Sequence, residues 1–185
     1  RSSSAASDVY KRQIMNLEVT LRTEHGLKAI TLIRDQVKGA NVGFGTVCNA
    51  TEFDAAVDAG ANFVVSPGQS NALFERALVT NIPFLPGAVT ATEVMAAKEA
   101  GFKVLKFFPA STSGGAAAIK AFAGPFAELQ FVPTGGINLD NAGSYLSLSN
   151  VRAVGGSWLT PADAIQNGQW EHITQIAREA SQLGA

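Results

Sequence analysis

Residues 83-PFLPGAVTATEVMAAKEAGFKVLKFF-108 hold two short apolar runs separated by a segment of helical character. The runs 83-PFLP-86 and 103-KVLKFF-108 read as strands. Between them, 90-TATEVMAAKEAG-101 carries apolar residues at spacings of three and four and closes on a glycine, which suits a helix C-terminus. Strand, helix and strand in succession, at about 20 to 25 residues per unit, is the signature of a parallel sheet with helical cover. The pattern recurs along the chain. Strands are predicted at 17-LEVTLR-22, 41-NVGFGT-46, 62-NFVVS-66, 130-QFVPT-134 and 151-VRAVG-155, and further helices at 52-EFDAAVDAG-60 and 161-PADAIQNG-168. These make seven units of an α/β fold. A (β/α)8 TIM barrel takes eight, so the expected fold is that barrel short of its first strand and helix. An open doubly wound sheet is the rival, but no GxGxxG follows a first strand, and polar residues recur at strand ends throughout.

Composition narrows the function. The 185 residues are 46% hydrophobic and 16% charged, with a net charge of -1, enough chain for one sizeable core. A near-neutral balance gives no drive towards nucleic acid, and no apolar run approaches the roughly 18 residues of a membrane span. The single cysteine, Cys48, excludes an internal disulfide framework and fits a reducing, cytoplasmic setting; it reads as a small buried hydrophobe without chemistry.

The opening RSSSAASDVYKRQIMN has basic residues, serines and alanines but no periodic apolar face. Its segment 3-SSAASDVYKRQ-13 resembles the translation of a transposase-type sequencing adaptor. The expected organisation is therefore a non-native or disordered leader over 1–16 and a barrel domain over 17–185.

Alternation along the strands assigns side chains to faces. In 17-LEVTLR-22 the apolar Leu17, Val19 and Leu21 should face the helices, which turns Glu18, Thr20 and Arg22 into the barrel. An inward carboxylate is costly unless paired, so Glu18 needs Arg22 or Lys106 as a partner, if only to fill the interior. Lys106 shares its face with Val104 and Phe108, while Leu105 and Phe107 face the other way. So enclosed, the ammonium form is disfavoured, and the neutral amine is a nucleophile for a carbonyl carbon, the requirement of Schiff-base catalysis. The plainer alternative is a lysine that snorkels to water from a strand end.

Two glycine pairs, Gly135–Gly136 in 131-FVPTGGI-137 and Gly155–Gly156 in 154-VGGSWLTP-161, follow the last two strands. Loops at that end of a barrel bind phosphate through backbone N–H groups and a helix N-terminus. The Ser157 hydroxyl can join them as a donor.

The ordered set LEVTLRT, GTV-N, SPG, PGAVT-TE, KFFPA, GGxxxIKAFAGPF, PTGGI and GGSW resembles the bacterial 2-keto-3-deoxy-6-phosphogluconate (KDPG) aldolases. That family also includes 4-hydroxy-2-oxoglutarate and 2-keto-3-deoxy-6-phosphogalactonate aldolases. The resemblance covers essentially all of 17–183. It implies a cofactor-free class I aldolase in which Lys106 forms the Schiff base, Glu18 is the general acid/base and Arg22 binds the substrate carboxylate. It also implies that Thr46 and Thr134 line the site, that Pro67 and Phe108 help position a phosphorylated keto acid, and that Gly135, Gly136, Gly155, Gly156 and Ser157 hold the phosphate. A homotrimer working in the Entner–Doudoroff pathway is implied as well. No metal is expected, since His25 and His172 lie far apart in helix-like segments and read as surface residues. Two other classes stay open: a phosphate-binding epimerase or isomerase barrel built on carboxylates or metal-ligating histidines, and a non-catalytic barrel fragment.

Overall fold

The computed structural model describes residues 14–20 and 25–183. Of the leader expected over 1–16, residues 1–13 lie outside them, as do Leu21 and Arg22, while Asn16 already belongs to the first strand. Among the described residues six strands form: β1 (Asn16–Thr20), β2 (Asn41–Gly45), β3 (Phe63–Val65), β4 (Phe84–Leu85), β5 (Val104–Phe107) and β6 (Gln130–Pro133). The helices are α1 (Gly26–Gln36), α2 (Ala50–Asp58), α3 (Asn71–Thr80), α4 (Ala91–Glu99), α5 (Gly115–Phe122), α6 (Leu139–Leu146), α7 (Ala162–Gln166) and α8 (Trp170–Ser181). Side chains at the turns fix where helices start: Asn49, Ser70, Thr90 and Asn138 each accept a backbone N–H from the first turn. Three of the predicted helices give way to glycines with left-handed backbone, Gly60, Gly101 and Gly168. Among the described residues no helix is long and apolar enough to cross a membrane.

Strands β1 to β4 pair in chain order, all parallel, and β5 pairs parallel with β6. A bridge from Gly87 to Lys106 joins the two groups into one run. The predicted strand at 151–155 is present only as two bridges, Phe131 to Val151 and Thr134 to Gly155. Between those bridges the 151–155 side carries one more residue than its partner, as in a bulge. The cause is Pro133, which accepts from the Gly155 N–H at 2.9 Å but has no N–H to donate. Buried Asn150 anchors the start of the segment by donating from its amide to the Ile119 carbonyl on α5 at 2.7 Å.

The core lies between sheet and helices. Val42 and Phe44 of β2, Leu105 and Phe107 of β5 and Phe131 of β6 are fully buried on the helix side. Phe107 meets Phe122 and Phe131 edge-on, both at 6.3 Å between ring centroids, and Phe122 stacks on Phe131 at 5.6 Å. A second cluster, Ala164, Ile173 and Ala177 from the last two helices, packs on Ile14 and Leu17, so the end of the described chain covers its first strand. Replacing Phe131 by Ala should cost about 3 to 5 kcal/mol in denaturant unfolding. Leu78→Ala, at a site 64% exposed, should stay within about 0.5 kcal/mol.

Candidate active site

Lys106 is gripped from both sides before its side chain is considered. Its N–H donates to the Pro86 carbonyl and its carbonyl accepts from the Ala88 N–H, both at 2.8 Å, while on the far side it stands in register with Val132 of β6. With Leu105 and Phe107 turned to the helices, alternation sends the amine into the barrel. Its side chain is 6% exposed, so it does not snorkel to water. Nζ lies 3.3 Å from Oε1 of Glu18, to which it donates a hydrogen bond, and 5.1 Å from the centre of the Phe108 ring. Eighty-eight residues of chain separate this pair. Glu18 reaches it from β1, where Leu17 and Val19 pack on the core as expected and the carboxylate takes the opposite face, its side chain 29% exposed. Lys106 is one of the two partners expected for Glu18; the other, Arg22, lies outside the described residues.

The other expected residues gather round this pair to different degrees. The Pro67 carbonyl lies so close to Gly87 that a Cβ there would fall 2.1 Å from it, and Gly87 is the residue bridged to Lys106. Gly135, in left-handed backbone at φ 97°, packs its Cα face on the Phe108 ring. Thr134 is bridged to Gly155, and a Cβ on Gly155 would come 2.6 Å from the Thr134 hydroxyl. Gly156 lies against the Trp158 ring, and Ser157 opens a short 3-10 turn with its side chain exposed. Thr46 follows β2 at φ 65°, half-buried. The expected phosphate loops therefore stand side by side, but the first turn of α6 is already engaged: Asn138 Oδ1 accepts the N–H groups of Asp140 and Asn141, both at 3.1 Å. Backbone groups of both loops are engaged too: the Gly155 N–H goes to the Pro133 carbonyl, and the Gly135 and Gly136 carbonyls accept from the Ser111 N–H and the Asn141 amide. Arg22 falls outside the described residues.

Cys48 corrects an expectation. It is exposed, because Val47 takes the buried position in the turn after β2 and Asn49 caps α2. Its thiol donates to the Thr46 carbonyl at 3.4 Å, and its N–H donates to Glu52 at 2.6 Å. Partial desolvation, and then the Glu52 carboxylate, push the thiol above its ordinary value, which keeps it protonated and poorly nucleophilic. His25 precedes α1 and His172 lies on the exposed face of α8. Among the described residues no group of three or more His, Cys, Asp or Glu is placed to hold a metal ion.

Sequence reasoning passed over Gly45. A Cβ there would lie 2.0 Å from Oε1 of Glu18, so the carboxylate occupies the space a side chain would need. The signal was available in 41-NVGFG-45, where two of the three positions opposite the Val42 and Phe44 face, 43 and 45, are glycine.

The comparisons with known proteins converge on one family. The KDPG and KHG aldolase profile matches residues 3–176. The 2-dehydro-3-deoxy-phosphogluconate aldolase of Pseudomonas aeruginosa is 45% identical over 164 residues, covering 89% of this chain and 74% of that protein. Among solved structures, the KDPG aldolase of Legionella pneumophila, with pyruvate captured at low pH as a covalent carbinolamine, superposes with a TM-score of 0.95 at 39% identity. That match covers 98% of this chain and 88% of the other. The KDPG aldolase of Zymomonas mobilis with 3-phosphoglycerate gives 0.92 at 39% identity over 98% and 85% of the two chains. The chain belongs to the KDPG and KHG aldolase family, a family of carbon-carbon lyases, and its fold is that family's (β/α)8 barrel, of which six strands, one fewer than the seven expected, form among the described residues.

The turn that grips Lys106 is itself braced by Glu93, whose carboxylate accepts the N–H groups of Val89 and Thr90, each at 2.8 Å, as half of a capping box. Desolvation opposes the charge, but these hydrogen bonds outweigh it and leave Glu93 below its ordinary value. A depressed carboxylate stabilises the fold above its unfolded pKa, and that stability is lost as pH falls through the folded value. Glu93→Gln should therefore lower Tm at pH 7, and the gap to the parent should close as pH drops below the ordinary glutamate range, read by melting curves across pH.

Proposed function

We propose that this chain is a class I aldolase that cleaves KDPG to pyruvate and glyceraldehyde 3-phosphate, with Lys106 as the Schiff-base residue and Glu18 as its proton shuttle. The observation that carries the reading is the buried amine of Lys106 set 3.3 Å from the Glu18 carboxylate inside a barrel. At that distance a proton can pass from the ammonium to the carboxylate, leaving a free amine beside a carboxylic acid. The amine attacks the C2 carbonyl; the N–C bond forms, the π pair moves to oxygen, and Glu18 protonates that oxygen to give the carbinolamine. Glu18 next takes a proton from nitrogen and returns it to the departing hydroxyl, so water leaves and a protonated imine forms.

Cleavage uses the same two residues. The Glu18 carboxylate removes the C4 hydroxyl proton, the C4–O pair becomes a carbonyl, and the C3–C4 bonding electrons flow into the iminium, which becomes an enamine. Glyceraldehyde 3-phosphate leaves. Glu18 then protonates C3, and water adds at C2 to release pyruvate and regenerate Lys106, restoring the water lost earlier. Arg22 would clamp the substrate carboxylate by a bidentate pair, with Thr46 and Thr134 beside it and Pro67 and Phe108 shaping the walls. The backbone at Gly135, Gly136 and Gly156, with the Ser157 hydroxyl, would hold the phosphate and so fix the distant reacting centre, while Gly155, its N–H given to Pro133, would serve by its lack of a side chain. The 3-phosphoglycerate bound in the Zymomonas relative supports a phosphate-bearing ligand for this fold. A homotrimer working in the cytoplasm completes the reading.

The discriminating experiment is turnover of KDPG, its galactonate-derived epimer and 4-hydroxy-2-oxoglutarate side by side. KDPG should show the highest kcat/KM; preference for either of the others would move the assignment within the family, and turnover of none would overturn it. Glu18→Gln should keep the fold and lower kcat by about 10² to 10⁴. An unchanged kcat would reduce Glu18 to a structural partner of Lys106.

A further inference from the structure

Strand β2 reads Asn41, Val42, Gly43, Phe44, Gly45, and its two faces differ sharply. Val42 and Phe44 are fully buried on the helix side, whereas the opposite face has no side chain at either glycine. Neighbours fill the space left. A Cβ on Gly43 would fall 2.1 Å from the Phe63 ring of β3, and one on Gly45 would fall 2.0 Å from Oε1 of Glu18, 2.6 Å from its carboxyl carbon and 2.7 Å from Cγ. Real Cβ atoms do not approach so closely. The outer half of the Glu18 side chain therefore lies flat over Gly45, and the oxygen over the glycine is the one bonded to Lys106 Nζ.

Three groups then share one small space: the Gly45 backbone, the Glu18 carboxylate and the Lys106 amine. Glu18 and Lys106 each sit on a strand held by a parallel ladder, so their Cα separation is fixed by the barrel. The remaining freedom is the side-chain path of Glu18, and a bare residue 45 is what leaves that path open. We infer that Gly45 is a positioning residue for proton transfer, holding the Glu18 carboxylate against Lys106 by the absence of a side chain. The inference rests on the proposed roles of Glu18 and Lys106. It predicts that any side chain at 45 pushes the carboxylate off its line to the amine, and that a carboxylate one carbon shorter escapes part of the collision.

The test is a double-mutant cycle read on a half-reaction, the exchange of pyruvate methyl protons with D2O followed by NMR, which requires both the imine and the proton shuttle. Gly45→Ala should slow exchange by at least tenfold at saturating pyruvate, with little change in the pyruvate concentration giving half-maximal rate. Glu18→Asp should be slow alone, yet cost on the order of tenfold less in the Gly45→Ala background, a coupling expected of groups in contact. Gly43→Ala, whose added methyl meets Phe63 instead, should combine with Glu18→Asp multiplicatively. Simple multiplication in the Gly45 cycle would overturn the inference, even though the parent still exchanges. Absence of exchange in the parent would bring down the proposed roles of Glu18 and Lys106 and this inference with them. Should Gly45→Ala fail to fold, recovery of a cooperative melt in Gly45→Ala with Glu18→Asp would support the overlap, and failure of both would show that the collision is not with Glu18.

Discussion

The structure depends on keeping a carboxylate beside an amine buried where it is not comfortable alone. Burying one charge costs several kcal/mol, and only a close partner with good geometry offsets it. Lys106, 6% exposed, has that partner in Glu18 at 3.3 Å. The two residues come from β1 and β5, with three strands between them in the described sheet order, so no local turn could bring them together. It takes a sheet that curves round on itself. The hydrogen bonds of Lys106 to Pro86 and Ala88, with Val132 standing in register on its other side, then hold the amine from behind, and the phenylalanines of β5, β6 and α5 hold the strand.

That division of labour explains how much was legible in the sequence. Period-two alternation placed Glu18 and Lys106 inward correctly, because in both strands their neighbours are large and apolar and leave one choice of face. Strand positions were likewise legible from short apolar runs bounded by turn residues, and the helix over 90–101 from its apolar spacing and closing glycine, whereas the caps Asn49, Ser70 and Asn138 emerge only from the structure. The segment 151–155 was harder. Its apolar pattern is that of a strand, but whether a ladder forms depends on the partner, and Pro133 on the neighbouring strand has no N–H to give. Pairwise constraints of that kind do not show in one segment read alone.

Glycines were the least legible part. The pairs at 135–136 and 155–156 drew notice because they follow strands at the expected end, whereas Gly43 and Gly45 sat unremarked inside a strand, where glycine is normally a weakness. Their meaning emerges only from what occupies the space they leave, the Phe63 ring and the Glu18 carboxylate. Cys48 misled for a related reason. Cysteine is usually buried, but here Val47 took the interior position and left the thiol outside. In each case a neighbour decided the outcome, not the residue's own tendency.

The central claim is that the buried amine of Lys106 forms a covalent imine with a 2-keto acid, and trapping that imine tests it most directly. The folded chain is incubated with pyruvate and borohydride, digested, and its peptides weighed. A reduced pyruvyl group is expected on the peptide containing Lys106, absent when borohydride or pyruvate is omitted and absent in Lys106→Met. Modification of a different lysine in the parent chain, or none in a sample shown by its melt to be folded, would contradict it.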